Sequence, residues 1–92
     1  MAIAVRTLAF VGEATQHYYV TLWSDINVGP MITVHEDEDL VTPAEEIPLD
    51  DMRMVGRKVR RLAKWAETPK GKARIEKQWE KEVAFLARPV KP

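Results

Sequence analysis

The chain contains no cysteine and a single serine, Ser24. Disulfide bracing, thiolate chemistry and cysteine zinc sites are therefore excluded. No G-x-S-x-G setting surrounds Ser24, and a Ser–His–acid set would need tertiary contacts that no motif announces. The four glycines, at 12, 29, 56 and 71, form neither a phosphate-binding loop nor a dinucleotide fingerprint. Histidine is equally scarce, with only His17 and His35 present. His35 followed by Glu36, Asp37 and Asp39 matches no metal-loop spacing. No apolar run approaches the roughly 20 residues that span a bilayer. The N-terminal stretch, with Arg6 as its one cation, does not read as a secretory leader. These shortages set the expectations: no enzyme, no metal, no cofactor, no membrane partner, and a reducing, cytoplasmic compartment.

What is abundant is charge, and it is segregated. The 92 residues are 30% charged and 46% hydrophobic, with a formal net charge of zero. That composition and length suit one folded domain over residues 1–92. Residues 1–51 hold one cation and ten acids, a balance of −9; residues 52–92 hold thirteen cations and four glutamates, a balance of +9. Such asymmetry concerns partners and solubility more than fold. Either the two halves neutralise each other within the monomer, or each presents its sign to something else.

The acidic half reads as a β-meander over residues 1–36. Residues 3–11 are apolar at both parities, Ile3, Val5, Ala9 and Val11 on one and Leu8 and Phe10 on the other. This predicts a central strand covered on both faces. Residues 17–24 are rich in aromatic and β-branched types, with Tyr18, Val20 and Leu22 opposite Tyr19, Thr21 and Trp23. Turn residues at 25–30 precede a third strand over 31–36. Short connections favour antiparallel pairing. Residues 37–49 read as an acidic linker. Thr42-Pro43-Ala44-Glu45-Glu46 has the grammar of a helix start, but Pro48 comes too soon for a long helix, so one turn or an irregular linker is expected.

The basic half reads as two helices. Over 50–67, Met52, Val55, Val59, Leu62 and Ala66 line one side, and Arg53, Arg57, Arg60, Arg61 and Lys64 line the opposite one. Asp50 and Asp51 are expected to cap this helix. Gly56 inside it suggests close packing against the sheet. Thr68-Pro69 opens a second helix over 69–88, with an apolar line of Ile75, Trp79, Val83 and Leu86 and a basic line including Arg74, Lys77 and Lys81. Pro89 is expected to end it. The fold class expected is α+β: a three-stranded antiparallel sheet followed by two helices packed on it. The core expected is Val5, Leu8, Phe10, Val20, Leu22, Ile32 and Val34 from the strands, and the apolar helix lines except Met52 and Ala66.

The cationic helix face is the strongest candidate site. Arginine forks suit carboxylates and phosphates alike. Its expected role is partner or phosphate binding by Arg53, Arg57, Arg60, Arg61, Lys64, Arg74, Lys77 and Lys81. Glu36, Asp37, Glu38 and Asp39 are expected to form an acidic surface, a solvated turn or a phosphate mimic. Two functions follow. One is a small non-catalytic regulator or inhibitor occupying a charged surface of a protein or protein–nucleic-acid complex, as small phage-made inhibitors of host machinery do; the analogy is one of size and composition only. The other is a nucleic-acid-binding accessory protein, with Trp23, Trp65, Trp79, Tyr18 and Tyr19 available for base stacking where exposed. The zero net charge weighs against the second, because dedicated nucleic-acid binders are usually basic overall. Self-association is compatible with either.

Overall fold

A computed structural model describes residues 2–25 and 27–86, with side chains as far as 81. Strands β1 (Ala2–Val11), β2 (His17–Asp25) and β3 (Gly29–His35) form an antiparallel sheet in the order β1-β2-β3. Helices α1 (Leu49–Glu67) and α2 (Pro69–Leu86) follow. The architecture is the α+β arrangement that the residue pattern predicts. A single 3₁₀ turn, Glu13–Thr15, joins β1 to β2. The β2–β3 hairpin closes on Gly29, whose φ of 87° only glycine adopts without strain.

The strand expected to be central is at the edge. β2 occupies the middle, paired with β1 on one side and β3 on the other. The two apolar parities of β1 have a different cause, a register shift between Ala4 and Arg6. Ile3 pairs with Ser24, whereas Leu8 pairs with Val20 and Phe10 with Tyr18. The bulge thus turns residues from both parities toward one face.

That face carries the core. Val5, Val20, Leu22 and Leu62 are buried together, and Leu8, Phe10, Ile32, Val34, Val59, Trp65, Ala66 and Ile75 pack around them. α1 lies over β2 and β3, and α2 touches β1 and α1. Trp65 and Ala66 join this core beyond the residues expected, and Met52 leaves the apolar line, being 54% exposed. Met52 stands on the first helical turn, at the margin of the sheet contact. Val55 and Trp79 are half-buried, and the Trp79 indole N–H donates to the Ser24 hydroxyl. The expected core side chains Val83 and Leu86, and Pro89, lie outside the described residues.

The Thr42-Pro43 helix start does not form. The segment folds back along β3 instead, with Pro43 bridging His35 and the Ala44 amide bonding to the Val34 carbonyl at 3.1 Å. A helix nucleus fixes several residues for one hydrogen bond. With Pro48 so close it cannot propagate, and the β3 edge offers partners at once. The second Thr-Pro signal does form a helix. The Thr68 hydroxyl donates to the Trp65 carbonyl at 2.6 Å and accepts from the Gly71 amide at 3.0 Å, ending α1 and opening α2 with one side chain.

Two glycines of the helices have opposite roles. A Cβ on Gly71 would sit 1.9 Å from the Trp65 carbonyl oxygen, so the helix corner closes only around a bare backbone. A Cβ on Gly56 would meet nothing within 4 Å, so that glycine does not serve close packing against the sheet. Gly56→Ala is therefore expected to stabilise the fold by about 0.5–1 kcal/mol, and Gly71→Ala to destabilise it by about 1–3 kcal/mol. Urea denaturation midpoints of the two variants check the opposite signs.

Candidate functional site

The cationic face is oriented by a buried carboxylate at the start of its helix. Asp51 is expected as a cap, but the cap position is Pro48, and Asp51 lies in the first turn of α1 with 2% exposure. Its Oδ2 accepts the Tyr18 hydroxyl at 2.9 Å and its Oδ1 accepts the Glu13 amide at 2.9 Å. Both oxygens are thus satisfied, and the positive end of the helix dipole favours a carboxylate there. Gly12 makes the approach possible, since a Cβ there would lie 2.4 Å from Asp51 Oδ2 and 2.7 Å from the Tyr18 ring. The connecting turn carries Ala14 and Thr15 at φ 55° and 60°, a left-handed conformation that non-glycine residues rarely adopt. The Glu13–Asp51 bond helps hold that turn. Tyr18 is buried and stacks on Phe10 at 5.1 Å between ring centroids.

From this anchor α1 runs along β2 with Leu62 fully buried on the same stripe. Arg53, Arg57, Arg60, Arg61 and Lys64 are all exposed. They fall within an arc of about 100° on the side away from the sheet and span roughly 16 Å of helix. Among the described residues, none of these five lies within 4.0 Å of a carboxylate oxygen. The Arg60 Nε–H donates to the Gly56 carbonyl at 3.3 Å, a local bond within the helix. Arg74, Lys77 and Lys81 are likewise exposed on α2. Arg6 is not part of this array, because its guanidinium sits over the Trp65 ring at 4.8 Å from the centroid.

The acids face elsewhere. Glu38 and Asp39 are exposed and Glu36 and Asp37 half-buried. Asp37 organises its own loop. Its oxygens accept the Val41 and Thr42 amides, each at 2.9 Å. Hydrogen bonds from the Thr42 side chain, then from the Val41 and Thr42 amides, hold its carboxyl below the usual carboxylate range. Asp25 behaves alike in the β2–β3 turn, lowered by the Asn27 and Val28 amides. The sequence pattern marked these acids as a charged run. It did not reveal that three aspartates, 25, 37 and 51, accept backbone N–H groups, because the donors come from irregular segments.

The chemistry-bearing side chains are dispersed. His35 Nε2 bonds to the Thr33 hydroxyl at 2.9 Å while its Nδ1 has no protein partner. Among the described residues, no group of three or more His, Cys, Asp or Glu is placed to hold a metal ion. An apolar hollow of about 630 Å³ lies under the helix corner, lined by Leu22, Ile32, Ala63, Ala66 and Ile75 with Lys72 on its rim. No helix among the described residues is long and apolar enough to cross a membrane.

Asp51→Ala leaves the Tyr18 hydroxyl and the Glu13 amide unpaired and is expected to cost about 2–4 kcal/mol. Burial, then the hydrogen bond to Asp51 and its charge, push the Tyr18 phenol above its ordinary value of 10.0. The unfolded chain therefore loses this proton first. The contribution is fully present below about pH 10 and is lost as pH rises beyond it. Urea midpoints between about pH 9 and 11 should fall more steeply for the natural chain than for Tyr18→Phe.

No protein-family model, curated protein or solved structure matches this chain.

Proposed function

We propose that this chain is a small non-catalytic interaction protein, a regulator or inhibitor, that docks the cationic face of α1 on an acidic surface of a macromolecular partner. One observation supports this above the others: five exposed cations share one side of a helix, and none has a carboxylate partner among the described residues. An array with intramolecular partners would have to break them to bind anything else, and this one does not. Opposite charge on a partner then steers encounter and sets register, with desolvated arginine–carboxylate forks supplying affinity.

The zero net charge is a weaker objection than composition suggests. Charges are screened over about 8 Å at physiological salt, and the protein extends 52 Å along its longest axis. A partner at the α1 face senses mainly that face. The same argument keeps a nucleic-acid reading in second place rather than excluding it. The exposed Arg74, Lys77 and Lys81 on α2 favour that reading, since they extend the cationic surface past a single helix.

Fluorescence anisotropy with labelled polyglutamate and with labelled random duplex DNA separates the two. Polyglutamate is expected to bind the natural chain and to lose at least tenfold in affinity on the triple change Arg57→Glu, Arg60→Glu, Arg61→Glu, with unchanged circular dichroism. Unchanged affinity with an intact spectrum rejects the site. Duplex DNA bound more tightly than polyglutamate, weakening about 500-fold between about 50 and 200 mM salt as five phosphate contacts require, transfers the site to the second reading.

A further inference from the structure

We infer that the outer edge of β3 binds an extended peptide that carries an apolar side chain between cationic ones. The Val34 carbonyl accepts the Ala44 amide at 3.1 Å, and the Glu36 amide donates to the Thr42 carbonyl at 3.1 Å. Both bonds point away from β2, so the even-numbered residues along this strand turn their backbone groups outward. Pro30 agrees with that parity, since its nitrogen, which carries no hydrogen, then faces the edge rather than the ladder. Ile32 lies between them. It sits opposite Leu22 in the register, and its amide and carbonyl face outward with no partner among the described residues. The chain's own segment 42–44 covers the edge at 34–36 and then departs toward α1, one pairing step short of Ile32.

Ile32 and Pro30 also line the apolar hollow of about 630 Å³, together with Leu22 from β2 and with Ala63, Ala66 and Ile75 from the helices. Residues paired opposite each other in a sheet send their side chains to the same face. Ile32 sends its own to the helix face, where it packs on the core. A residue of an added strand that exchanges both hydrogen bonds with Ile32 therefore projects its side chain beside that of Ile32, toward the hollow. Backbone pairing then supplies affinity and the hollow supplies specificity, as in other cases of strand addition to a sheet edge. The segment 42–44 already pairs in this mode at the adjoining positions.

Charge selects what flanks that side chain. Glu67 and Glu76 line the hollow, with Lys72 as the one cation among the described residues there. Glu45 and Glu46 directly follow Ala44, at the other end of the open edge. All four glutamates are exposed, and none has a cation within 4.0 Å among the described residues. Arg60, the member of the α1 row nearest Ala63 around the helix, is turned back on the Gly56 carbonyl. Side chains two positions apart in a strand share a face. Cations two positions before and after the apolar residue are therefore placed toward the glutamates at the two ends, whereas an acidic strand would meet like charge. The site shares no side chain with the cationic row and is independent of the proposed docking.

Amide chemical shifts of the isotope-labelled protein test this, in a titration with a five-residue peptide: leucine at its centre, threonine on either side and lysine at both ends. Saturable binding is expected with a Kd on the order of 1 mM or below, and the Ile32 amide should be among those that move most. N-methylation of the central leucine, which removes the hydrogen that bonds the Ile32 carbonyl, should weaken binding about fivefold. Glutamate in place of both lysines should weaken it about tenfold at low salt. Ala63→Trp fills the hollow from an exposed helical position, and the pair Glu67→Lys, Glu76→Lys inverts its rim. Each should weaken binding of the lysine peptide at least fivefold with unchanged circular dichroism. An Ile32 amide that stays unmoved at about tenfold the expected Kd overturns the proposal. Equal binding of the N-methylated peptide overturns it in favour of a site for apolar small molecules. Equal binding of the glutamate peptide, or an affinity that both protein variants leave unchanged, overturns it as well.

Discussion

The orientation of α1 depends on a carboxylate that water does not reach. Asp51 ties the first turn to Tyr18 on β2 and to the Glu13 amide before it. Leu62, eleven residues later, is fully buried against Val20 and Leu22. Eleven residues are close to three helical turns, so both side chains lie on one stripe, pinned near its two ends. Rotating the helix by a single residue would swing every side chain by about 100° and withdraw both pins together. The position of the arginines is thus a consequence of what is held on the far side.

Much of this was legible in the residues. Alternation and turn chemistry marked three strands, and threefold and fourfold spacing separated the cationic side of α1 from its apolar side. The Thr68-Pro69 corner was readable because a cap acts through its nearest neighbours. What escaped was set at longer range. Nothing local distinguishes Asp51 from Asp50, yet one is buried and the other exposed; the difference is made by Tyr18, thirty-three positions away. The edge placement of β1 was hidden because a bulge and double coverage leave the same apolar pattern. Thr42-Pro43 carries the same start signal as Thr68-Pro69. Only the available edge of β3 and the nearby Pro48 separate their fates. Close approach likewise cannot be read from a glycine alone, as Gly71 and Gly56 demonstrate.

The charge segregation has a physical outcome that net charge conceals. Asp25, Asp37 and Asp51 accept backbone amides in a hairpin turn, a surface loop and a strand connection. These are the irregular places where amides have no ladder partner, and a carboxylate is the strongest neutral-pH acceptor available to them. Part of the acidic half therefore holds the chain's own loops. Among the described residues the cations have no equivalent internal duty: apart from Arg6 over Trp65 and the local Arg60 bond, the helical rows face outward. A chain can be neutral in sum and still present one sign at a given surface.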